Sequence, residues 1–289
     1  MASGVVVGAR YRSLVTDQLP VIGDAEAYDL WSPEVGDTFR VFVGHCGAGS
    51  RATVVVTDGN GLFGLTVDTI RLMQIFALLP SITVVGVGYP GARTVDDTLD
   101  IRSRDLTPTH WVAFPGSGGA GRFASFIRLT LFDWIRQRFP TALETPVYFG
   151  HSLGGLFGTW ALLDSSPVFR HFILSSPSLY WDGYTVFDRE AEWSAPPPDF
   201  ELRAFFGIGA LETDEGRRLE ARDLPDGHRF KPPGTHLDMV DDLLRFTERF
   251  RARRHPRLDV TVEVYPDEYH ATVPALVLAH GLRRFFSGR

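Results

Sequence analysis

Seven short runs of apolar, largely β-branched residues recur along the chain, at 39–43, 53–57, 82–88, 147–150, 172–175, 204–208 and 260–265. Several are apolar throughout, the pattern of strands buried on both faces. Between them the period lengthens. Over 122–139 the apolar residues Phe123, Phe126, Ile127, Leu131, Trp134, Ile135 and Phe139 recur close to every 3.6 positions, and Pro140 ends the run. Residues 153–163, 237–250 and 274–286 are predicted as the other helices. Strands alternating with helices imply an α/β fold, a mostly parallel sheet with helices on both faces. No internal repeat is visible. Two stretches read as irregular: 111–121 is rich in glycine, and 182–200 ends in Pro196-Pro197-Pro198. The second is either a lid or cap beside a site or a plain surface excursion.

Composition narrows the classes. At 289 residues with 44% hydrophobic and 22% charged positions, the chain is expected to form a single α/β domain over 1–289. A formal charge of −6 argues against a nucleic-acid partner, which calls for a basic stripe. The one basic cluster, Arg249, Arg251, Arg253 and Arg254, reads as the solvated end of a helix. Lys231 is the single lysine, so few residues are candidates for a catalytic amine. Cys46 is the sole cysteine, which excludes an intrachain disulfide and a thiolate metal site. Residues 1–10 lack the pattern of an export signal, and no run of 18 apolar residues occurs. The expectation is a cytoplasmic protein with no membrane partner and no metal or organic cofactor.

The strongest chemical signal is Gly150-His151-Ser152-Leu153-Gly154-Gly155, directly after one predicted strand and directly before a helix. This is the setting of a nucleophile elbow, where a sharp turn strains the serine backbone and its neighbours two positions away must be small. The Ser152 hydroxyl then stands at the carboxyl end of the sheet, where open α/β sheets bind ligands. The Leu153 amide, at the helix start, points where an oxyanion would form. A second donor is expected after an early strand, where Asp58-Gly59-Asn60-Gly61 either brings the Asn60 amide to the site or is an ordinary turn.

The base is expected late, after the last strand, and His270 lies five residues beyond Tyr265. His280 falls inside the following helix, His228 and His236 lie earlier, and His151 points away from the nucleophile. The acid is expected after the penultimate strand, where Glu212 comes first and Asp214 second. Either carboxylate could hold the imidazole tautomer.

Taken together, these motifs resemble the putative-esterase branch of the α/β hydrolases, which includes ferric-enterobactin and related trilactone-siderophore esterases. The resemblance runs from about Phe39 to Phe286. It is carried by Asp58-Gly59-Asn60, by Arg102-Ser103-Arg104-Asp105-Leu106-Thr107-Pro108, by the elbow, by Ser175-Ser176-Pro177-Ser178-Leu179-Tyr180-Trp181, and by His270 with Val273-Pro274 and Gly281-Leu282. It implies an α/β-hydrolase fold and ester hydrolysis by a Ser–His pair, with or without Glu212 as third member. Thr107 follows Leu106 where the siderophore enzymes often carry tyrosine, which implies a different substrate. Arg104 either steers an acidic substrate group or pairs with Asp105 or a nearby carboxylate. Trp181 either walls the acyl pocket or fills the core.

The expected function is cleavage of a small-molecule ester or lactone through a Ser152 acyl-enzyme, with His270 as base. Two alternatives stand beside it. One is an acyltransferase, thioesterase or macrocyclising enzyme that passes the acyl group to another acceptor. The other is a non-catalytic binding protein on the same scaffold.

Overall fold

A strand whose successive side chains are all apolar needs cover on both faces, and the architecture follows from that need. The computed structural model describes residues 25–50, 52–92, 96–139, 142–194, 200–223 and 238–286. The strands are β1 (Ala25–Ser32), β2 (Asp37–Cys46), β3 (Ala52–Val56), β4 (Ile82–Gly88), β5 (Thr145–His151), β6 (His171–Ser175), β7 (Leu202–Gly209) and β8 (Leu258–Tyr265). They form one 8-stranded sheet in the order β1-β2-β4-β3-β5-β6-β7-β8. The pairs β1–β2 and β2–β4 are antiparallel, and every pair from β4 to β8 is parallel. The carboxyl ends of β3, β5, β6, β7 and β8 therefore share one edge.

The helices are α1 (Gly59–Ile75), α2 (Leu99–Leu106), α3 (Ala120–Ser125), α4 (Phe132–Arg138), α5 (Leu153–Leu162), α6 (Trp181–Ala191), α7 (Asp214–Asp223), α8 (Met239–Ala252) and α9 (Pro274–Phe286). A π-helical segment, Phe126–Leu131, joins α3 to α4. On one face Val54, Val56, Phe149 and Ile173 pack with Phe63 and Val67 of α1 and Val277 and Leu282 of α9. On the other, Val55, Tyr148, Phe172 and Leu174 pack with Phe126, Leu156, Phe157 and Phe246. Adjacent residues of one strand thus belong to opposite cores, which is the period-2 geometry of a strand applied twice.

All seven predicted strands are present, several of them longer than their apolar runs. Unforeseen are the edge strand β1 and helices α1, α2, α6 and α7. β1 carries Glu26 and Asp29 and exposes most of its length, so it has no apolar run to betray it. Gly59-Asn60-Gly61 reads as a loop, yet these residues open α1 after Asp58 takes a left-handed backbone (φ 54). Much of 182–200 is helix α6 rather than irregular chain, entered through a left-handed turn at Asp182, Gly183 and Tyr184. Pro140, Pro196-Pro197-Pro198, His228, Lys231 and His236 lie outside the described residues. Among the described residues, no helix is long and apolar enough to cross a membrane.

Candidate active site

The β5–α5 corner places Ser152 between strand and helix with φ 58 and ψ −116. Side chains rarely adopt that backbone, which costs about 1–3 kcal/mol and persists only where the surroundings dictate it. Three backbone bonds do so. Ser152 N–H donates to Ser175 O at 3.0 Å, and Ser152 O accepts from Leu156 at 2.9 Å and Ser178 at 3.2 Å. The glycines on either side are needed for space. A Cβ on Gly150 would stand 2.4 Å from Gly154 O, and one on Gly154 would stand 2.5 Å from Thr57 Oγ1. The Tyr148 hydroxyl braces the corner, donating to Gly154 O at 2.7 Å and meeting Thr57 Oγ1 at 3.0 Å.

His270 lies in the turn between β8 and α9, and Glu212 follows β7. Their side chains meet: His270 Nδ1 is 2.6 Å from Glu212 Oε2. The other carboxylate oxygen, Oε1, accepts from Ser176 Oγ at 2.5 Å and from Gly209 N at 2.9 Å. Glu212 is 2% exposed and so fully enclosed by these donors. Of the two candidate acids, Glu212 is the one in contact with His270, while Asp214 begins α7. The His270 ring also packs against His151, the residue before Ser152, with centroids 4.4 Å apart. Burial pushes the His151 imidazole well below its ordinary pKa, and His270 and Arg102 push the same way. The His151 Nδ1 lies 3.0 Å from Ser175 Oγ. His280 is committed elsewhere, to Glu263 at 2.7 Å.

Leu153 is the first residue of α5 and Asn60 the second of α1, positions whose N–H groups have no partner within their own helix. The Asn60 side chain fastens α1 to the end of β4. Its Nδ2 donates to Tyr89 O and Ala92 O at 3.1 and 2.8 Å, and its Oδ1 accepts from Tyr89 N at 2.8 Å. The two helix starts adjoin, since Gly154 packs on Thr57 and Asp58.

Arg104 takes the pairing alternative. Nε and Nη2 bind Asp105 at 2.8 and 2.9 Å, and Nη1 binds Asp37 at 2.8 Å, so each guanidinium nitrogen faces one of the chain's own carboxylates. Trp181 is 2% exposed, packs on Trp111 and Phe114 at 5.0 Å each, and donates to Thr109 O at 3.3 Å. It is buried against residues 109–114.

Two residues near the site escaped the sequence reading. Arg102 is buried and bidentate to Asp58, with both contacts at 2.7 Å, which holds the start of α1. Ser176 grips Glu212. Both lie in motifs already noted, but their partners are distant in sequence and no local pattern links them.

A family model described as Putative esterase matches residues 38–226. The siderophore enterobactin esterase of Emericella nidulans is 31% identical over 81% of each chain. The siderophore triacetylfusarinine C esterase of Aspergillus fumigatus is 28% identical over 83% of each. Among solved structures, the siderophore hydrolase EstB from Aspergillus nidulans superposes with a TM-score of 0.76 at 24% identity, covering 93% of this chain and 98% of that one. This likeness shows the fold, the mostly parallel sheet of the α/β hydrolases.

Proposed function

Since the chain belongs to the Putative esterase family and is an ester-hydrolysing serine hydrolase, we propose that Ser152 is its nucleophile, His270 its base and Glu212 the acid that orients the base. The observation that carries this reading is the 2.6 Å contact of His270 Nδ1 with buried Glu212, with the His270 ring packed on His151, the neighbour of the strained Ser152. With Nδ1–H donated to the carboxylate, the lone pair of His270 is on Nε2, the nitrogen free to take a proton from Ser152. The Ser152 oxygen attacks the ester carbonyl, and the tetrahedral oxyanion rests on the amides of Leu153 and Asn60. His270 then returns the proton to the leaving alcohol and activates the water that releases the acid.

The substrate we propose is a small-molecule ester or lactone of the siderophore type. The support is the names of the relatives matched over four-fifths of the chain, both siderophore esterases. Ser152→Ala should lower kcat on an aryl ester by several orders of magnitude with the fold intact, and abolish labelling by a fluorophosphonate. Wild-type turnover by that variant would refute the assignment. A panel of simple esters and ferric trilactone siderophores, scored by kcat/KM, tests the substrate class. Equal values across the panel would sink it.

A further inference from the structure

Ser175-Ser176-Pro177-Ser178 turns the chain at the end of β6, and each of its three hydroxyls meets a different part of the site. Ser175 Oγ meets His151 Nδ1 at 3.0 Å, Ser176 Oγ donates to Glu212 Oε1 at 2.5 Å, and Ser178 Oγ lies 3.5 Å from Ser152 Oγ. All three serines are buried. We propose that this corner frames the active site and that Ser176 is a positioning residue for the reaction, acting through Glu212. The inference rests on the roles proposed above for Ser152, His270 and Glu212.

A carboxylate bound through one oxygen to a single imidazole can still swing about its side-chain torsions. Ser176 and Gly209 hold the opposite oxygen from two directions, which fixes where Oε2 faces His270. The Ser176 backbone adds a second line. Its φ is 42, in the left-handed region, and the next residue is proline, which itself disfavours compact conformations in the residue before it. Glycine would occupy that backbone at less cost. A serine held there supplies what glycine lacks, a hydroxyl, and that hydroxyl meets Glu212. The corner is also tied to the strand that leads to Glu212, because Ser176 N–H donates to Gly207 O at 2.8 Å. Strain, burial and the short bond point to one role.

The test compares Ser176→Ala, Ser176→Gly, Glu212→Ala and the Ser176→Ala/Glu212→Ala double variant on p-nitrophenyl acetate, with urea midpoints measured alongside. Both Ser176 variants should lose about 10- to 100-fold in kcat, the worth of one hydrogen bond to a charged group, with KM changed less than about twofold. Ser176→Gly should show this loss while being at least as stable as Ser176→Ala, so activity and stability part company. In the Glu212→Ala background, Ser176→Ala should cost nothing further. Wild-type kcat in Ser176→Gly, or an equal loss in both backgrounds, would overturn the inference. Should Ser176→Ala fail to fold, the glycine variant alone and in the Glu212→Ala background decides it. Ser152→Ala serves as the control: if it kept turnover, the parent assignment would fall, whereas its loss beside unaffected Ser176 variants would sink this inference alone.

Discussion

Replacing Arg102 by methionine probes how the start of α1 is held. Arg102 and Asp58 are 6% and 5% exposed and joined by two contacts of 2.7 Å, so neither charge has water as an alternative partner. Methionine keeps much of the volume but leaves the Asp58 carboxylate buried without its two donors. Breaking a buried pair from one side costs about 3–5 kcal/mol, because an uncompensated charge remains. At roughly 2–4 °C per kcal/mol for a chain somewhat smaller than this one, the melting temperature should fall by about 6–20 °C. Asp58 precedes α1 with φ 54, so its relaxation would also shift the Asn60 amide and slow fluorophosphonate labelling of Ser152. The double variant Arg102→Met/Asp58→Asn carries no stranded charge, and asparagine tolerates the left-handed backbone. It should be more stable than Arg102→Met alone. Thermal unfolding followed by circular dichroism, with labelling rates on the same samples, measures both effects. A loss below about 1 kcal/mol in Arg102→Met, or a double variant destabilised by the sum of the two singles, would refute the reasoning.

Two further outcomes follow from strain and from burial. Ser152→Gly relieves the φ of 58 and should raise the urea midpoint by an amount equivalent to about 1 kcal/mol while abolishing labelling; an unchanged or lower midpoint would show that the backbone there is unstrained. His171 is lowered to about 4 by burial, with Arg203 pushing the same way. Its folded pKa is below its unfolded value near 6.5, so the unfolded state binds the extra proton between those values. The stability is present above about pH 6.5 and is lost as pH falls toward 4. Relative to His171→Phe, the wild type should lose at most about 3 kcal/mol between pH 7 and pH 4 in denaturant titrations, and parallel pH curves for the two proteins would disprove it.

The parts legible in the sequence are those whose signal is local. Strand β4 is buried at every position, and the glycines around Ser152 are dictated by contacts within four residues or across one corner. The meeting of His270 with Glu212 is legible because strand order fixes which loops converge. What stayed hidden depends on partners far along the chain. Arg102 meets Asp58 across 44 positions and Ser176 meets Glu212 across 36, and neither pairing leaves a period to read. α1 was missed because Gly59-Asn60-Gly61 carries turn chemistry, which the packing of Phe63, Val67 and Ile70 overrides. Arg104 was the more conspicuous arginine for substrate steering, but Asp37, brought beside it by β2, claims its remaining nitrogen.

The mostly parallel sheet gathers the proposed site from loops as far apart along the chain as those holding Asn60 and His270. On the roles proposed above, a nascent chain carries the Ser152 hydroxyl long before the His270 imidazole, and gains hydrolytic competence only after all eight described strands have been made. Acquisition of fluorophosphonate reactivity is, for the same reason, a clock for the closing step of folding.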